Sequence, residues 1–180
     1  MRVIAGRFKG RRLGTPTWEG LRPTSDKLRE TLFNIVAPRI EGARVLDGYA
    51  GTGAVGIEAL SRGAAQVTFV ERDRRAVRLI EANLAACGVE ADYTICPGDL
   101  VTVVTRYAGP AFDLIWLDPP YDTADLDAAL TSAAAVLAPG GAVVLERATR
   151  RDPGSPPGLA RTRDVKSGDS TLTFFSLPAS

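Results

Sequence analysis

Arg44-Val45-Leu46-Asp47-Gly48-Tyr49-Ala50-Gly51-Thr52-Gly53-Ala54-Val55-Gly56 is the stretch that decides the fold. A short apolar run ends on an acid, passes into glycines and continues at helical spacing from 53 to 62, where Gly63 stops it. That is a strand, a tight turn and a helix. The turn matches G-x-G-x-x-G, a pattern in which glycines allow a sharp bend and let a ligand approach the backbone closely. Downstream the alternation repeats. Residues 66–70 read as a strand. Asp73 caps a helix with an apolar stripe at Val77, Ile80, Leu84 and Cys87, closed by Gly88. Residues 92–96 and 113–117 read as further strands, the second strongly apolar. A helix over 124–137 leads through the turn Pro139-Gly140-Gly141 to a fifth strand at 142–145. Residues 159–177 read as a hairpin around Ser167-Gly168-Asp169, after a Pro/Gly/Ser-rich surface loop at 152–158. Apolar strands alternating with helices predict an α/β fold whose parallel sheet is covered on both faces. The terminal hairpin makes that sheet mixed.

Upstream of the turn, a helix is expected after Pro23, with Thr24, Ser25 and Asp26 all able to cap it. Leu28, Leu32, Ile35 and Val36 lie on its inner face, and Pro38 ends it. Residues 1–22 read as a separate basic arm or hairpin flanked by Gly6 and Gly10, and 23–180 as the main domain. The net charge of +1 conceals an asymmetry. Residues 1–44 hold ten Lys/Arg against four Asp/Glu, and the remainder is net acidic. A basic arm on an acidic body suggests a polyanion docking at one end, through Arg7, Lys9, Arg11, Arg12, Arg22, Lys27 and Arg29. A merely solvated basic surface is the alternative.

The chain's 180 residues suffice for one core. No secretory pattern follows Met1, and the longest uncharged run is broken by the Pro-Gly-Gly turn, so a cytoplasmic protein without a membrane span is expected. Cys87 and Cys96 form neither a disulfide framework nor a zinc spacing, and no metal is expected. The chain has no histidine, which removes Ser-His-Asp chemistry and the commonest general base. Reactivity must come from carboxylates, backbone and aromatic groups, or from a bound cofactor.

Two cofactors fit the glycine turn. Glu71, ending the second strand, can accept the hydroxyls of a ribose in either. A nicotinamide dinucleotide would set its pyrophosphate at the helix N-terminus. S-adenosylmethionine, which lacks phosphate, is favoured by Asp47 near the expected ammonium group. It is also favoured by Gly98-Asp99-Leu100, where a side-chain acceptor can meet an adenine amino group. The fourth strand then runs into Asp118-Pro119-Pro120-Tyr121 at the carboxyl edge of the sheet, where open α/β folds bind ligands. The Asp118 carboxylate and the Pro119 carbonyl can each accept one N–H of an exocyclic amino group, turning its lone pair toward a methyl donor. Tyr121 can stack on the base. The plain alternative is a stiff turn with Tyr121 as a packing aromatic.

These residues resemble a class I methyltransferase, and specifically the RsmD family of bacterial small-subunit ribosomal RNA guanine-N2 methyltransferases. The resemblance runs through "RVIAGRFKGRRL", "LRPTSDKLRETLFNIV", "VLDGYAGTGAVGIEALSRGA", "VERD", "DLIWLDPPYD" and "KSGDSTLTFF". The resemblance implies a Rossmann-like fold with a seven-stranded sheet and N2 methylation of one guanine in 16S RNA that is partly assembled with ribosomal proteins. It also implies donor contacts at Asp47, Ala50, Gly51, Thr52, Gly53, Glu71, Arg72, Asp99 and Leu100, and catalysis at Asp118, Pro119, Pro120 and Tyr121. A monomer is expected. The sequence departs from the family at Gly48, where a bulkier residue is usual and a looser turn is expected, and at Ser167, where an aromatic is frequent. The Asp-Pro-Pro-Tyr loop alone leaves adenine-N6 methylation of DNA or RNA open. A nucleic-acid-binding protein without catalysis and a nicotinamide-dependent oxidoreductase are the readings from other classes.

Overall fold

The computed structural model describes residues 1–21, 23–120 and 126–179. Its centre is a seven-stranded sheet in the order β3-β2-β1-β4-β5-β7-β6. Strands β1 (Arg44–Asp47), β2 (Gln66–Glu71), β3 (Tyr93–Pro97), β4 (Phe112–Leu117) and β5 (Leu137–Ala148) pair in parallel. The hairpin β6 (Ala160–Ser167) and β7 (Ser170–Ser176) joins through β7, antiparallel to β5. Successive strand residues point to opposite faces, so each central strand feeds two cores. Val45, Leu114, Trp116, Val144 and Phe174 pack with helices α1 (Asp26–Val36), α2 (Ala54–Ser61) and α3 (Arg74–Ala86). Their neighbours Leu46, Ile115, Leu117, Val143, Leu145 and Phe175 pack with α4 (Leu100–Thr105) and α5 (Leu126–Val136).

Local chemistry sets the boundaries. Ser25 Oγ accepts from Leu28 N and Asp73 Oδ1 from Arg75 N, so the expected caps start α1 and α3. The turn read at Pro139-Gly140-Gly141 is instead part of β5, which begins at Leu137. The ladder absorbs the extra residues where the β4–β5 register shifts between Phe112 and Leu114. Helix α4 was not legible in the sequence, since six residues carry too little periodicity. The 124–125 start expected for α5 lies outside the described residues.

The arm is docked on the body. Val3 and Leu13 are buried in the α1–α3 core, and an antiparallel bridge joins Arg2 to Arg12. Gly6, at φ +82°, presses on Ser61, whose carbonyl oxygen would lie 1.9 Å from an added Cβ. Gly48 does not loosen the glycine turn. A Cβ there would meet Leu117 Cδ2 at 2.5 Å, and its N–H donates to Trp116 O at 2.8 Å.

Candidate active site at the carboxyl rim of the sheet

Parallel strands deliver their C-terminal residues to one rim. After β1 the chain turns through Gly48–Gly53, with Gly51 at φ +56° and Gly53 at φ +75°, into α2. Glu71 ends β2 and fastens this turn. Its Oε2 accepts from Gly51 N at 2.9 Å and its Oε1 from Asp73 N at 2.8 Å. Asp47 lies beneath the turn, 1% exposed, with Oδ2 accepting from Gly56 N at 3.0 Å and Oδ1 buried without a partner among the described residues. The amides of Gly51 in the turn and Gly56 in the first turn of α2 thus already donate to carboxylates. A pyrophosphate placed there would face two acids, which disfavours the nicotinamide reading. A cationic donor meets the opposite situation.

The cleft above this rim has two connected lobes. The smaller, about 190 Å³, is lined by Glu71, Arg72, Asp99 and Leu100. The larger, about 650 Å³, is lined by Ala50, Gly51, Thr52, Pro119, Glu146 and the hairpin turn 167–170. Tyr49, Asp118 and Pro120 line both lobes, as do Gly20 and Leu21. The donor residues expected from sequence therefore converge, with two exceptions. Asp47 and Gly53 support the turn from below and do not line the cleft. Asp99 also has a structural duty, capping α4 by accepting from Thr102 N at 3.2 Å. Tyr121 and Arg22 lie outside the described residues.

Sequence reading missed several participants. Leu117 of β4 is in register with Leu145 of β5, so the next residues, Asp118 just past β4 and Glu146 within β5, stand at the same level. Thr24 Oγ1 donates to Asp118 Oδ2 at 3.2 Å. Ser170 Oγ donates to Glu146 Oε1 at 2.9 Å, while Glu146 Oε2 is buried and accepts from no N–H or alcohol group among the described residues, leaving a proton shared with Asp118 as its one possible partner there. Burial pushes the Asp118 carboxyl well above the ordinary carboxylate range. The facing Glu146 charge and a proton shared with it push the same way, the Thr24 bond opposes them, and Asp47 adds a smaller upward push. Residues 18–21 form a strap over the cleft. Leu21 Cδ1 lies 3.1 Å from where a Gly51 Cβ would stand, and the Arg75 guanidinium sits 5.1 Å from the Trp18 ring centroid. The expected fifth strand stopped at Leu145, one residue short of Glu146.

Burial also raises Asp47, from 3.8 to about 7, against the bond from Gly56 and with a further push from Glu71. Between those two values the folded chain binds this proton and the unfolded chain does not. Asp47 therefore stabilises the fold less as pH rises from 3.8 toward 7, and the loss levels off above. Asp47→Asn is expected to flatten that decline while keeping an acceptor for Gly56 N. Urea midpoints of both proteins across this pH interval check it, and parallel curves would show that the carboxyl does not titrate there.

Among the proposed phosphate contacts, Arg7, Lys9, Arg11, Arg12 and Lys27 are exposed. Arg7 and Arg11 flank the Phe8 ring, at 5.1 and 5.9 Å from its centroid. Arg29 corrects the expectation. It is fully buried on the inner face of α1, donates to Arg2 O at 2.8 Å and pairs with Asp26 and Glu58. It cannot reach a phosphate. Among the described residues there is no cluster suited to hold a metal and no helix long and apolar enough to cross a membrane.

A mixed seven-stranded sheet of this order, with β7 antiparallel and a glycine turn after β1, is the class I methyltransferase fold. The chain belongs to the RsmD family, described as conserved hypothetical protein 95, which matches residues 1–176. It is 42% identical over 123 residues to ribosomal RNA small subunit methyltransferase D of Haemophilus influenzae, covering 67% of this chain and 64% of the relative. It is 40% identical over 121 residues to the Escherichia coli K12 protein of that name, covering 67% and 60%. These matches span less than two thirds of either relative's length. The solved structure of yhhF from Escherichia coli superposes with a TM-score of 0.86 at 31% identity, covering 100% of this chain and 99% of the other.

Proposed function

We propose that this protein transfers a methyl group from S-adenosylmethionine to the exocyclic N2 of a guanine in small-subunit (16S) ribosomal RNA. The observation that carries this reading is the Asp118-Pro119-Pro120 loop, which lies where the two lobes of an acidic cleft meet. The smaller lobe suits the donor's nucleoside, with Glu71 for ribose hydroxyls and Asp99 for the adenine amino group. A cationic ligand favours the ionised form of Asp47 beneath the turn, whose orphaned oxygen then supplies negative potential. When bound, the donor supplies a methyl carbon on a positively charged sulfur, and the remaining work is positioning.

Positioning falls to the loop. A guanine amino group is a weak nucleophile because its lone pair is delocalised into the ring. Asp118 and the Pro119 carbonyl accept its two N–H groups and turn the lone pair toward the donor, a contribution of up to about 7–11 kcal/mol in the best intramolecular cases. The raised affinity of Asp118 for a proton makes it a suitable acceptor of the one released after transfer. Stacking on Tyr121 contributes about 1–3 kcal/mol, which helps offset the unstacking of the base. The names of the relatives support small-subunit RNA as substrate. A cytoplasmic monomer acting on a partly assembled particle completes the proposal. Mass analysis of nucleosides from small-subunit particles incubated with protein and donor tests it. N2-methylguanosine is the expected product, and its absence sinks the reading.

The arm's charges give a second handle. Deleting the arm would expose Val3 and Leu13's share of the core, so neutralisation is the cleaner test. Lys9→Gln, Arg12→Gln and Lys27→Gln together are expected to reduce the slope of log affinity against log salt by about 2, at roughly 0.7–0.9 per phosphate contact. Filter binding to the particle between low and moderate salt measures it, and an unchanged slope returns these side chains to a solvated surface.

A further inference from the structure

Glu146 has a buried oxygen that no N–H or alcohol group among the described residues satisfies, in the lobe where the proposed function seats the base. The residue is only 7% exposed, and it lines the larger lobe with Thr24, Ser25, Asp118 and Pro119. Ser170 holds Oε1 in place, and among the described residues only a proton shared with Asp118 could occupy Oε2, a contact that a better pair of donors from a ligand can replace. A buried acceptor left unsatisfied costs free energy, so a donor from a ligand is strongly favoured there. The register of β4 and β5 sets Glu146 beside Asp118, and the two carboxyls are close enough to share a proton.

Two adjacent acceptors at one level match one edge among the common bases. Guanine presents an N1–H and an N2–H side by side, pointing the same way. Adenine presents an acceptor at N1 beside its N6 amino group. We propose that Glu146 is the residue that reads guanine, its Oε2 accepting N1–H while Asp118 accepts N2–H. The inference rests on the proposed function and extends it, since the Asp-Pro-Pro loop holds any amino group equally well. An N1 lone pair facing Glu146 is repelled, so a purine without N1–H is refused even when its amino group is present.

The guanine located by mass mapping is replaced, by splinted ligation of the RNA before particle reconstitution, with 2-aminopurine. That base keeps the 2-amino group and offers N1 as an acceptor. The wild-type protein is expected to favour guanine by about a hundredfold in kcat/KM, the scale of a hydrogen bond to a charged group. Glu146→Gln, whose amide can donate as well as accept, is expected to bring the two bases to within about fivefold. Equal use of both bases by the wild-type protein overturns the inference without requiring any variant to fold. An unchanged preference in a folded Glu146→Gln protein overturns it as well. No transfer to either base removes the proposed function and this inference together, whereas transfer to guanine with no discrimination removes this inference alone.

Discussion

Asp118→Ala is expected to lower methyl transfer by at least about three orders of magnitude while calorimetric binding of S-adenosylmethionine persists. The scale follows from removal of a preorganised polar contact at a reacting group, about a hundred- to a thousandfold, together with the misorientation that follows at the amino group. Donor binding should survive because Asp118 lies where the lobes meet, whereas Glu71 and Asp99 belong to the smaller lobe alone. Asp118→Asn separates two roles. Its amide oxygen still accepts an N–H, so a measurable fraction of activity should remain, but it cannot take up the released proton. It also removes a buried like-charge contact with Glu146, so its urea midpoint should equal or exceed that of the wild-type protein. Normal turnover by Asp118→Ala would show that the loop does not hold the reacting group.

The sheet and the rim were readable because their signals are local and regular. Val45-Leu46 and 114–117 are apolar on both faces, as strands covered on both sides must be, and the glycines after Asp47 mark the turn without ambiguity. What escaped reading depends on pairing between distant segments. Glu146 follows four apolar residues, Ala142 to Leu145, and looks like a strand's polar end. Only the β4–β5 register sets it against Asp118. The 18–21 strap carries no periodicity at all. Arg29 sits in a basic stretch and adjoins the inward-facing Leu28, so charge counting assigned it to the surface although the helix turns it inward. Charge composition reports how many cations a segment holds and says nothing about which of them are already neutralised inside.

Glu58 explains where Arg29 went, and its replacement should have the largest effect on stability. This α2 carboxylate is completely buried. Oε2 accepts from Ile4 N at 2.8 Å and Oε1 from Ala5 N at 3.0 Å, so it holds the arm's backbone. It also takes Arg62 Nε at 2.8 Å and lies 3.5 Å from Arg29 NH1. Sequence reading passed over it because Glu58 and Arg62 have the spacing of an ordinary surface pair. Glu58→Ala leaves two arm amides unpaired and one buried guanidinium short of its counter-charge, expected to cost about 3–5 kcal/mol, a large part of the roughly 5–15 kcal/mol that holds a domain together. Glu58→Gln keeps an acceptor and loses the charge, and should fall between. Urea midpoints measure the loss, and hydrogen exchange at Ile4 and Ala5 reports whether the arm detaches before the body unfolds. The same helix carries the glycine turn at its start, so this carboxylate ties the basic arm to the element that shapes the donor's lobe. A cost below about 1 kcal/mol, the range of an exposed ion pair, would mean that the arm is held by Val3 and Leu13 alone and that Arg29 finds enough compensation in Asp26.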